Sequence, residues 1–213
     1  MLANTQAATR LLAEEPPDLD TARTAMAHAV QQSRRATEVV GRLRKAVERP
    51  DAAGDVRPVD LEQTVRTALY LLEPEMRGRG VTPLVDAPAA ALLALGEPVA
   101  LGQIIHNLLM NALQALDLVP AGQRSLQVSL REANGHAELS VTDSGPGIPA
   151  DALPRLFEPF FTTRQGGLGL GLSLCETLAT RMGGRICAGR NAPGGAVFTL
   201  TLPLAPARPG DRA

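Results

Sequence analysis

Apolar residues recur at steps of three and four through residues 61–76 (Leu61, Val65, Ala68, Leu69, Leu72). This predicts an amphipathic helix, stopped by the RGRG run that follows. Residues 97–116 are apolar on almost every turn and predict a second, largely buried helix. A third, over 173–182, ends at Gly183-Gly184. Elsewhere the period drops to two. Residues 125–131 and 137–142 alternate around Asn134-Gly135, the pattern of a hairpin with a two-residue turn. Residues 81–86, 92–95, 185–190 and 196–202 read as further strands. Strands adjacent in sequence, with helices inserted rather than strictly alternating, predict an α+β fold. The expected form is a two-layer sandwich, a mixed sheet with helices on one face.

The first quarter of the chain is patterned differently. Residues 1–13 read as the end of a helix, and EEPPD breaks it because Pro16 and Pro17 exclude helix for the residues before them. Asp18 or Asp20 can then cap a long helix to about residue 49. Along it Met26, Val30, Ser33, Thr37, Val40 and Val47 form a heptad-like stripe. A hairpin cannot bury such a stripe alone, so a homodimer through a four-helix bundle is expected. The other arrangement packs the hairpin on the domain that follows. The expected organisation is a helical hairpin over 1–49, a linker over 50–57, one domain over 58–204 and a disordered tail over 205–213.

Composition narrows the partners. The chain of 213 residues is 45% apolar but only 2% aromatic, so its core must be aliphatic. A net charge of −1 gives no electrostatic case for nucleic acid or an anionic membrane. All of the 21 basic residues except Lys45 are Arg, so an Arg at any one position says little about recognition. Cys175 and Cys187 lack metal-ligand spacing and are expected as buried thiols in a reducing compartment. No apolar run is expected to span a membrane, so the chain reads as soluble and cytoplasmic, alone or cut from a membrane-anchored parent.

Candidate chemistry concentrates in residues 143–173. DSGPG (143–147) places a carboxylate beside two glycines, FEPFFTTR (157–164) is built loosely enough for a lid, and GGLGLGLS (166–173) runs into a helix. The free N–H groups and positive end of that helix suit a polyphosphate. Upstream, Asn107 and Asn111 share one face of the apolar helix, continued by Ala115. Carboxamides there either bond neighbouring loops or serve a ligand, Asn111 as an oxygen donor to Mg²⁺ and Asn107 to orient phosphate or water.

The ordered series Asn107/Asn111, DSGPG, FEPFF, GLGLG and GGAVF (194–198) resembles the N, G1, F, G2 and G3 boxes of a sensor histidine kinase. The hairpin resembles that family's dimerisation and phosphotransfer module, and residues 60–80 its first ATP-domain helix. GLGLGLS, with RLLAEEPPDLD upstream, is most similar to the oxygen- and dicarboxylate-sensing subgroups. The resemblance implies a Bergerat-type ATP-binding fold, ATP and Mg²⁺ as ligands, and a response regulator as partner. It implies that Asp143 accepts a hydrogen bond from the adenine amine, which selects ATP over GTP. Gly145 and Gly147 then let the backbone approach the base. Asn111 would hold Mg²⁺ and Asn107 would stand beside the phosphates, cradled by the backbone of Gly167, Gly169, Leu170 and Gly171. Arg164 stands where many relatives carry Lys and is placed near phosphate, while Phe157 and Phe160 would anchor the lid. Gyrase- and Hsp90-type ATPases carry a water-activating Glu four residues before the metal-binding Asn. Here that position is Asn107, the residue assigned to catalysis, which suits a site that holds ATP without hydrolysing it quickly.

The family's phosphorylated His is followed by an acidic residue, a context that His28, His106 and His136 all lack. The opening LANTQAATRLLA resembles sequence just downstream of that His, so the acceptor is expected upstream of Met1 and the chain is expected not to label itself. The competing readings are a related ATPase or anti-sigma-type serine kinase, disfavoured by Asn107 and the hairpin respectively, and a non-catalytic dimerisation module, disfavoured by the intact glycine boxes.

Overall fold

The computed structural model describes residues 55–164, 167–191 and 194–206, with the isolated positions Leu19, Thr21, Thr24 and Met26. The chain divides into two units, Met1–Ala53 and Gly54–Ala213. In the first, the four described positions are helical, and Leu19 and Met26 are exposed. The rest of the predicted hairpin, including His28 and the stripe from Val30 onward, lies outside the described residues.

The second unit begins with a short strand β1 (Arg57–Asp60), which the expected linker over 50–57 did not anticipate. A Pro-containing run of four residues carries little strand signal; pairing with β3 creates the strand, with Arg57 opposite Gly96. Asp60 caps α1 (Leu61–Leu71), its Oδ1 accepting from the Gln63 N–H at 3.1 Å. The helix predicted over 61–76 is two helices. It breaks at buried Leu72, and α2 (Glu73–Arg79) restarts with Pro74 in its first turn, where a missing N–H costs nothing. Gly80 ends it in the left-handed conformation, φ 63°. Strand β2 is only Leu84–Asp86, shorter than predicted, because Pro83 has no N–H for a ladder. After β3 (Leu93–Gly96), α3 (Pro98–Leu116) follows with Pro98 in its first turn.

β4 (Leu126–Ala133) and β5 (His136–Asp143) form the predicted hairpin, Asn134 and Gly135 both at positive φ. The remaining elements are α4 (Gly171–Arg181), β6 (Arg185–Arg190) and β7 (Ala196–Pro203). The five-stranded sheet has the order β2-β4-β5-β7-β6; β2 is parallel to β4 and every other pairing is antiparallel. This is the mixed α+β sheet predicted. Leu126, Val128 and Leu130 of β4, Leu139 and Val141 of β5, and Phe198, Leu200 and Leu202 of β7 alternate onto one buried face. α3 and α4 pack there.

α3 is long and apolar enough to cross a membrane, contrary to expectation, but Leu101, Ile104, Ile105, Leu108, Leu109 and Leu113 are fully enclosed in this core. Cys187 also differs from expectation. It is exposed on edge strand β6, whereas Cys175 is buried on α4. The tail predicted from residue 205 is ordered at its start: Leu204 bridges to Ala94, and the Ala205 N–H reaches Leu93 O at 2.9 Å. Residues 207–213 lie outside the described residues.

Candidate functional site

The predicted site residues gather where β5 ends, around one face of α3 and at the start of α4. Asp143 is the last residue of β5 and, with Thr201, one of two buried polar residues in the described chain. Its Oδ1 accepts from the Gly145 N–H at 2.8 Å and from the Ala196 N–H at 3.3 Å. Oδ2 takes no hydrogen bond among the described residues, and no fully buried side-chain oxygen there is unpartnered, so this atom keeps an opening to solvent. Burial pushes the Asp143 carboxyl above the usual range; the two backbone bonds and the charge of Arg164 pull partly the other way.

The glycines beside it are enforced by close approach. A Cβ on Gly145 would sit 2.8 Å from Ala115 Cβ on α3 and from Asp143 Oδ1. Gly147 has φ 78°, and a Cβ there would lie 2.9 Å from Gly195 O. Gly195 has φ 110°, and its Cβ would overlap Asp143 O. β5, α3 and the turn before β7 thus meet too closely for side chains at these three positions. Gly195 and Ala196 belong to this junction beside Asp143, although only the GGAVF run as a whole was visible in the sequence.

Asn107 and Asn111 face the same side of α3, partly exposed. Asn107 Nδ2 points to Cys175 Sγ on α4, 3.6 Å away. Asn111 is bonded to Arg164: Nη1 donates to Asn111 Oδ1 at 3.2 Å and Nη2 to the Asn111 main-chain oxygen at 2.8 Å. Nη1 also donates to Gln114 Oε1, a residue that belongs to none of the sequence boxes. Burial lowers the Arg164 guanidinium from its ordinary value, against the opposing charges of Asp143 and Asp117. The residue as a whole stays exposed, with its guanidinium lying on α3.

Gly167 and Gly169 meet the segment before them rather than the asparagines. A Cβ on Gly167 would touch Thr162 Oγ1 at 2.6 Å, and one on Gly169 (φ 65°) would overlap Phe160 and Phe161 backbone. Gly169 O accepts from the Phe160 N–H at 2.9 Å. Leu170 precedes α4, Gly171 opens it with free space where a Cβ would be, and no side chain caps this end. The first N–H groups of α4 therefore remain available to an acceptor. Phe160 is not the expected anchor: it is 73% exposed with φ 67°. Phe157 and Phe161 pack against the core instead, with Arg155 stacked over the Phe161 ring at 4.5 Å.

The set fits a metal-bound nucleotide. Among the described residues no three His, Cys, Asp or Glu side chains cluster to hold a cation. A metal would depend on a carboxamide oxygen and ligand phosphates, the arrangement usual for Mg²⁺. The Asn111 oxygen already faces a positive charge. A groove of about 500 Å³ lies elsewhere, lined by β1, α1 and the start of α3, and includes exposed His106 but none of the predicted site residues. His136, at the start of β5, shares its Nδ1 with Asn134 O.

Comparison with known proteins agrees with this geometry. Residues 96–206 match the family model described as histidine kinase-, DNA gyrase B- and HSP90-like ATPase. The sensor histidine kinase TmoS of Ectopseudomonas mendocina is 32% identical over 206 residues, 96% of this chain and 21% of its own length. The C4-dicarboxylate transport sensor protein DctB of Rhizobium meliloti is 39% identical over 145 residues, 68% of this chain and 23% of its own length. The chain therefore spans about a fifth to a quarter of these two relatives. Among solved structures, full-length ShkA in complex with AMPPNP superposes with a TM-score of 0.62 at 28% identity, covering 72% of this chain and 32% of that one. With the mixed sheet, the ordered boxes and the buried carboxylate of Asp143, these likenesses lead to one conclusion: the chain belongs to the histidine kinase-, DNA gyrase B- and HSP90-like ATPase family, on its sensor histidine kinase branch.

Proposed function

We propose that the chain binds Mg²⁺–ATP and serves as the cytoplasmic catalytic portion of a dimeric sensor kinase. It would direct the γ-phosphoryl group to a histidine nitrogen, from which the group passes to an aspartate of a response regulator. The observation that carries this reading is Asp143, a buried carboxylate whose Oδ1 is spent on two backbone N–H groups while Oδ2 takes no hydrogen bond among the described residues. An acceptor so placed suits an adenine amine and rejects guanine, which offers a carbonyl there. The backbone at Gly145 and Gly147 would lie against the base beside Asp143 Oδ2, and the start of α4, uncapped among the described residues, would take phosphate oxygens.

Asn111 Oδ1 would hold the metal, whose chemistry when bound is to offset phosphate charge as the imidazole nitrogen attacks and the β–γ bridge breaks. Asn107 has no basic lone pair at neutral pH and so cannot take a proton from water, which favours protein transfer over hydrolysis. Neither His106 nor His136 is offered as acceptor.

Calorimetry tests the binding reading directly: ATP should bind, GTP should not, and Asn111→Ala should lose more affinity with Mg²⁺ than in EDTA. Equal losses in both would remove Asn111 from the metal. Incubation with γ-labelled ATP should show slow hydrolysis and no acid-labile, alkali-stable label on the chain alone. Such a label, lost on His28→Ala, would make His28 the acceptor.

A further inference from the structure

Among the described residues Arg164 makes three side-chain hydrogen bonds and all three go to α3, to the two oxygens of Asn111 and to Gln114 Oε1. Gln114 lies three residues beyond Asn111 on the same helix, and Arg164 is its hydrogen-bond partner among the described residues. A guanidinium on the Asn111 carboxamide and a divalent cation on the same oxygen repel each other at such short range. We propose, resting on the nucleotide reading above, that Gln114 is a positioning residue. With Asn111 it parks Arg164 over the metal-binding oxygen, and the incoming Mg²⁺–nucleotide must evict that guanidinium before the site is complete. The parked arginine holds the carboxamide oriented toward positive charge while the site is free. It also withholds that oxygen from Mg²⁺ arriving without nucleotide, because only polyphosphate offers Arg164 a better partner. Nucleotide affinity is thereby lowered by the strength of the Gln114 contact, a residue with no place in the nucleotide cradle itself.

Trypsin cleaves after a free arginine side chain, so cutting after Arg164 in the nucleotide-free chain reports the latch by itself. Gln114→Leu should speed that cleavage several-fold and Gln114→Glu, which offers Arg164 a carboxylate, should slow it; cleavage after Arg131, on the sheet, should not change. In calorimetry Gln114→Leu should bind ATP two- to tenfold tighter, the gain being larger with Mg²⁺ than in EDTA. Unchanged cleavage after Arg164 in both variants, or no gain in affinity, would overturn the latch. If the wild-type chain binds no ATP, the functional reading fails, yet the trypsin comparison still decides whether Gln114 holds Arg164. Should leucine disturb folding, seen as faster cleavage after Arg131 as well, the near-isosteric Gln114→Glu variant decides between latch and no latch by itself.

Discussion

Asp143 is 3% exposed at the end of β5, and desolvation raises its carboxyl above the ordinary carboxylate range. A group raised in the folded state contributes stability that is full below its unfolded value and is lost as pH climbs through the folded one. Once ionised, the buried side chain therefore costs stability. Asp143→Asn keeps an Oδ1 for the Gly145 and Ala196 N–H groups but removes the buried charge. Its melting temperature should rise, by roughly 2–4 °C for each kcal/mol relieved. The same change should weaken ATP binding roughly tenfold to a hundredfold, since hydrogen bonds to charged groups are worth about 1.5–3 kcal/mol. Thermal melts and calorimetry on one pair of proteins read both effects; a destabilised mutant with unaltered ATP affinity would contradict the assignment. ATP affinity of the wild type should also decline on acidification earlier than an exposed aspartate would dictate, with Asp143→Asn flat over the same range.

At the scale of elements, the site depends on how closely β5 approaches α3. Gly145 meets Ala115 with no room for a methyl group, so Gly145→Ala must push the strand end away from the helix or tilt Asp143. Overpacking of this kind costs about 1–3 kcal/mol, and the displacement of Asp143 should weaken ATP binding as well. Adding Ala115→Gly should recover only part of the stability. It clears the Cβ contact but leaves the one to Asp143 Oδ1, and glycine itself costs a helix about 1 kcal/mol. Denaturant titration of the single and double variants checks this; full additivity would show that the two positions do not touch. α3 likewise joins both asparagines to their neighbours, Asn107 to Cys175 of α4 and Asn111 to Arg164.

For the whole molecule, Leu19 and Met26 matter most. They lie seven residues apart, and both are helical and more than half exposed. Burying such side chains is worth roughly 1.5–3 kcal/mol each, which a partner copy would supply. Light scattering at tens of micromolar should find a dimer, and Met26→Glu should shift it toward monomer. A monomeric wild type at that concentration would remove the first unit from the dimer interface. ATP binding, proposed for residues of the second unit alone, should survive the Met26 change.

Local pattern alone determined the helices over α3 and α4, the Asn134-Gly135 hairpin, the aliphatic core and the ordered boxes at Asn107, Asn111, Asp143 and Gly169. Each rests on periodicity, turn chemistry or residue order within a few positions, which the chain carries whatever it packs against. Contacts between distant segments decided the rest. β1 and the ordering of Leu204 and Ala205 exist because β3 offers them partners. The break at Leu72 comes two residues before Pro74, and Cys187 is exposed because, next to buried Ile186, it points to the sheet face away from the core. Gly195 beside Asp143, Cys175 beside Asn107 and Gln114 beneath Arg164 are separated in sequence by about 50 to 70 residues. Such pairings leave no periodic trace along the chain. Only the closing of β5, β7 and α4 around α3 brings them within bonding distance.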